Sequence, residues 1–132
     1  MRTAVIVGFL VLLLGGCKSN PFGDDVPPKL YNQVQSYEDT VRWGDLHNLY
    51  LFAGPDALKS AKVQDGLDNI RVTGYQGSPL RQVSETRWAV TAVIDYVLTD
   101  RQVVRQVVDN QVWVSGDDGK TWFLDSPLPQ FR

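Results

Sequence analysis

Between positions 87 and 98 the chain alternates with a period of two: Trp88, Val90, Ala92, Ile94, Tyr96 and Leu98 fall on one side of an extended backbone, and Arg87, Thr91 and Asp95 on the other. That pattern predicts a strand with one face on a core and the other toward water, as in an antiparallel sheet. Turn-forming groups at Gly77-Ser78-Pro79, Ser84-Glu85, Thr99 to Gln102 and Asp117-Asp118-Gly119 divide the surrounding β-branched and aromatic runs. The predicted strands are 69–76, resuming at 80–83, then 86–98, 102–115 and 120–125, a meander.

The buried face of such a sheet needs a cover, and the segment before it supplies one. Pro27-Pro28 suits a helix start, because a proline in the first turn forfeits no helical hydrogen bond. Leu30, Val34, Tyr37 and Val41 then recur at helical spacing, and Trp43, Leu46 and Tyr50 widen the stripe. Gly54-Pro55 closes this region, and residues 56–63 read as a short second helix before Gln64-Asp65-Gly66 turns the chain. The aromatic residues Tyr31, Tyr37, Trp43 and Tyr50 are read as core and rim. The expected fold is α+β: an N-terminal helix and a short second one packed on a curled, cone-like antiparallel sheet of about four strands.

A length of 132 residues, with 43% apolar and 21% charged side chains, fits one domain with one core. The formal charge of −2 and the scattered Lys and Arg residues argue against a nucleic-acid partner, which needs clustered cations.

At the N-terminus, Arg2 precedes an apolar run from Ala4 to Leu14, broken only by Gly8, and Gly15-Gly16 leads into Cys17. This reads as a signal peptide over 1–16; the run is about half of the roughly 20 residues that span a bilayer. Cys17 is the one cysteine, so no intrachain disulfide forms. The junction Leu14-Gly15-Gly16-Cys17 resembles the bacterial lipobox. The resemblance implies cleavage after Gly16, acylation of Cys17 and a stable lipid anchor, since several acyl chains hold where one binds only marginally. Lys18, in place of the Asp that resembles an inner-membrane retention signal, favours the outer membrane facing the periplasm, while Lys18-Ser19 leaves the inner membrane open. Residues 17–28, rich in Pro, Gly and Asp, form the lipidated cysteine and an extended tether, and 29–132 form the domain.

Helix first and meander after, the chain resembles the nuclear transport factor two-like, or cystatin-like, superfamily. The likeness is carried by the run Tyr37 to Leu46 with its Gly44-Asp45 pair, by Ile94-Asp95-Tyr96, by Val108 to Trp113, and by Lys120 to Pro129. These last segments resemble a group of uncharacterised proteobacterial lipoproteins, over roughly residues 30 to 131. The superfamily holds enzymes, binding domains and assembly modules, so fold does not choose among them.

Chemistry is sparse. His47 is the one histidine, which excludes a histidine-based triad or multi-histidine metal site, and it reads as surface or rim. Asp117-Asp118-Gly119-Lys120 lacks the further oxygens of a calcium loop and reads as a hairpin turn, Asp-Gly supplying positive φ. No cofactor is implied. If a tight turn sets Leu98 opposite Val103, Trp88 lies opposite Trp113, Val90 opposite Gln111 and Ala92 opposite Asp109. Two polar groups then enter an apolar face, either lining a pocket with Tyr96 and Arg105, or satisfied at the core rim, or rotated outward by a bulge. Asp95 and Arg105 read alternatively as a surface pair.

Two functions are expected: a non-enzymatic envelope domain that binds a small ligand, a protein partner or a second copy, and, as the alternative, an enzyme of the ketosteroid-isomerase type that uses Asp109 for proton transfer.

Overall fold

The computed structural model describes residues 25–60 and 63–132. The expected leader, Cys17 and the expected tether up to residue 24 lie outside the described residues.

Helix α1 (Pro28–Trp43) opens on the proline pair, with the Tyr31 N–H donating to the Pro27 carbonyl at 3.0 Å. Its stripe of Leu30, Val34, Tyr37 and Val41 is buried. The helix stops at Gly44, whose N–H reaches back to the Asp39 and Thr40 carbonyls. A Cβ at position 44 would stand 3.0 Å from the Thr40 Cα, so a side chain there would collide with the last turn.

This stop corrects the expected stripe beyond residue 42. Asp45 accepts the His47 N–H and starts a separate 3₁₀ segment, Leu46–Phe52, which turns Leu46 and Leu49 into the core by a new route. Trp43, left outside, is 76% exposed beneath the Arg42 guanidinium, 5.0 Å from its ring centroid. Tyr50 and Tyr31 sit half-exposed at the rim. The short second helix, α2 (Pro55–Ser60), ends before the expected 63. Pro28 belongs to α1 rather than to the tether.

The strands are β1 (Ile70–Gly77), β2 (Arg81–Ser84), β3 (Arg87–Leu98), β4 (Val103–Val114) and β5 (Phe123–Leu124), all paired antiparallel. The open sheet runs β1-β3-β4-β5, and β2 continues along the β3 edge that β1 leaves at Gly77. Strands β3 and β4 face each other without a break from Arg87↔Val114 to Leu98↔Val103. Asn69 ties their turn, accepting the Thr99 hydroxyl at 2.7 Å and the Asp100 N–H at 2.8 Å on its side-chain oxygen.

Beyond β4, Asp117 organises the loop by accepting from Ser115 and from the Thr121 N–H and hydroxyl. Asp118 and Gly119 take the expected positive φ, in a loop longer than a two-residue hairpin turn.

The inward set Trp88 to Leu98 is buried throughout, under α1 and the 3₁₀ segment. The C-terminal segment completes the core. Phe131 is 2% exposed and meets Tyr96 edge-on at 5.1 Å, and the backbone N–H and carbonyl of Phe131 both bond to the Gln64 side chain. The outer sheet face carries Val104 and Val108, both exposed.

Candidate functional site

Strand parity places Asp109, Gln111 and Trp113 as successive inward positions of β4, beneath Tyr37 of α1. The register expected from the sequence is the one observed, and no bulge rotates the polar pair outward: Asp109 is 2% and Gln111 1% exposed.

Their polar atoms form a chain. The Trp113 indole N–H donates to Gln111 Oε1 at 3.1 Å. Gln111 Nε2 donates to the Tyr75 hydroxyl oxygen at 2.8 Å and to Asp109 Oδ2 at 3.1 Å. The Tyr37 hydroxyl donates to the same Oδ2 at 2.7 Å. The indole can only donate and an ionised carboxylate can only accept, so the Gln111 amide has one consistent orientation. The Tyr37 ring meets Trp113 edge-on at 5.6 Å and Phe52 at 5.3 Å, which holds the phenol over the carboxylate.

Burial pushes the Asp109 carboxyl up to about 6, against the opposing hydrogen bonds from Tyr37 and Gln111. Burial raises the Tyr37 phenol well above its ordinary value, and the Asp109 charge adds to it. Burial also raises Tyr75, with Asp109 and Glu38 adding and the bond from Gln111 opposing.

Tyr75 joins this network to a cleft of about 110 Å³ between α1 and the sheet. Tyr31, Val34 and Glu38 of α1 line one side, and Tyr75, Leu80 and Val90 the other. Asp109 itself lies behind Tyr75 in the hydrogen-bond chain and does not line the cleft.

Tyr96 and Arg105 stand apart from this centre. They are paired with each other four residues along β4 from Asp109, about 13 Å away at strand rise. The Tyr96 hydroxyl is engaged by the Arg132 backbone, accepting its N–H at 2.9 Å and donating to its carbonyl at 2.8 Å. Arg105 is exposed. The C-terminal residues thus engage Tyr96 while Arg105 stays in solvent, and neither joins the Asp109 network. The alternative Asp95–Arg105 pair does not form either, because Asp95 opposes Gln106 on the outer face and accepts its amide at 2.8 Å, while Arg105 is on the inner one.

Sequence reading did not single out Tyr75 or Glu38. Tyr75 turns inward because β1 shifts register between Val72 and Gly74, which reverses the alternation after that point. Tyr37 was legible as core, and as a buried phenol it needed a partner, which is Asp109.

His47 is at the surface, its Nδ1 2.7 Å from Asp45 Oδ1, and this hydrogen bond raises its pKa. Among the described residues no group of three His, Cys, Asp or Glu side chains converges to hold a metal, and no helix is long and apolar enough to cross a membrane. No protein-family model matches this chain, and no curated protein matches it.

Proposed function

We infer that this chain is a cell-envelope lipoprotein, anchored to the outer membrane by acylated Cys17, that presents a nuclear transport factor two-like domain and binds a ligand without transforming it. The reading rests on the lipobox-like junction for the anchor and, for the activity, on one observation. The buried carboxylate Asp109 accepts from Tyr37 and Gln111 on Oδ2 and lies behind a cleft that it does not line. A general base must reach the proton it takes, within about 3 Å or through one water.

The alternative, proton transfer of the ketosteroid-isomerase type, draws on the Asp109 carboxyl pushed up to about 6 and on the Tyr37 phenol 2.7 Å away. It requires Tyr75 to move aside for the substrate.

Expression in a bacterial host tests the anchor. The wild-type chain is expected in the membrane fraction, with an N-terminal peptide beginning at Cys17 and carrying the mass of diacylglycerol and a fatty acid. Cys17→Ser is expected to lose both the modification and the membrane association. Recovery of wild-type protein from soluble periplasmic extract without fatty acid refutes the reading.

A further inference from the structure

The cleft between α1 and the sheet has a composition that selects among ligands. Tyr31 and Tyr75 contribute aromatic surface; Val34, Leu80 and Val90 contribute aliphatic surface. Glu38 is the one charged side chain among the described residues lining it. The Glu38 and Asp109 carboxylates both act on the Tyr75 phenol, so two negative groups are focused on this wall. Among the described residues no Lys or Arg lines the cleft to offset them.

Aromatic rings attract cations through their electron-rich faces, and a carboxylate beside them adds charge in a partly dehydrated setting. The volume of about 110 Å³ is below the roughly 150 Å³ that holds a benzene, so the occupant has about five heavy atoms inside the cleft. Gln35 and Ser78 add polar atoms to the lining, but Tyr31, Val34, Tyr75, Leu80 and Val90 make most of it apolar. A methylated ammonium covers such a surface with its methyls, whereas a primary ammonium is a compact, strongly hydrated charge that gains little from it. Tyr75 is held in place by Gln111, so its half of the wall is preorganised.

We propose that this cleft is a binding site for a small methylated ammonium group, the kind carried by choline, held by Glu38 with Tyr31 and Tyr75. The inference rests on the binding reading above and gives it a ligand class. The group has two sources, a free organic cation or the head group of a lipid.

The test uses the full mature chain in an uncharged maltoside detergent, followed by amide NMR at constant ionic strength. Choline is compared with 3,3-dimethylbutan-1-ol, its neutral carbon isostere. Choline is expected to shift the resonances of Tyr31, Val34, Glu38 and Tyr75 with millimolar affinity, and the isostere to bind about tenfold more weakly. Glu38→Gln is expected to weaken choline about fivefold while leaving the isostere unchanged. Tyr31→Leu, at a half-exposed rim position, provides a second variant with the same expected loss. Glycerophosphocholine separates the sources: affinity like that of choline assigns a lipid head group, and exclusion assigns a free cation. Equal binding of choline and its isostere at the cleft overturns the charge selectivity and leaves the binding reading standing. Absence of shifts with either compound at 50-fold excess over about 1 mM overturns both.

Discussion

Replacing Asp109 by Asn tests the central physical claim, that burial rather than hydrogen bonding dominates this carboxylate. The amide has nearly the same shape, and its oxygen can accept the bonds from the Tyr37 hydroxyl and Gln111 Nε2 that now reach Oδ2. Two things change: the charge, and the Oδ1 position, where an acceptor becomes an NH2 donor whose cost is the same at every pH, so the pH dependence of the difference isolates the charge. The folded carboxyl stands at about 6 against an ordinary 3.8, about two units, or roughly 3 kcal/mol at about 1.4 kcal/mol per unit. Between these values the unfolded chain has released the proton while the folded chain still holds it. This contribution to stability is therefore fully present below pH 3.8 and is lost as pH rises through about 6.

Relative to wild type, Asp109→Asn is expected to gain roughly 3 kcal/mol between pH 3.5 and pH 7. Urea unfolding followed by tryptophan fluorescence at steps between these pH values measures the difference, and Trp88, Trp113 and Trp122 are all buried reporters. The difference between the two proteins cancels other titrations. Among them are Asp45, lowered chiefly by the His47 backbone N–H, and Asp117, held at about 2 chiefly by the Thr121 hydroxyl; both act in the opposite direction. A gap that does not change with pH, or one that moves against the variant as pH rises, refutes the reasoning. The latter result would mean that the charge-assisted bonds outweigh desolvation.

Phe131→Ala removes a fully packed ring from against Tyr96 and is expected to cost about 3 kcal/mol in the same urea assay; a loss below about 1 kcal/mol means that the C-terminal segment does not complete the core. Gly119→Ala forces an L side chain to φ +83° with only ordinary contact to Trp122, so a conformational cost of about 1 to 2 kcal/mol is expected. Gly116→Ala, in open space, serves as the control and is expected to leave stability unchanged within about 0.5 kcal/mol.

By itself, the amino-acid order determined which face of β3 is buried and offered the pairing with β4 that the structure adopts. Alternation from Trp88 to Leu98 declares which side is buried, and a tight turn at 99–102 leaves one pairing that keeps both apolar faces together. That pairing carries Asp109 and Gln111 inward only where no bulge interrupts it, and the structure shows none between Arg87↔Val114 and Leu98↔Val103. The first helix was equally local, because its stripe and its proline start both lie within the segment. Tertiary structure decided what the inward polar groups meet. Tyr37 is 72 positions from Asp109, and the meeting depends on how α1 lies across the sheet. Tyr75 faces the cleft only because a register shift in β1 reverses its parity, and Tyr96 is withdrawn from the site because the backbone at Arg132 returns to claim its hydroxyl. Short-range periodicity sets the face on which a side chain lies. Its partner is set by packing between elements distant in the chain, and no local pattern records that.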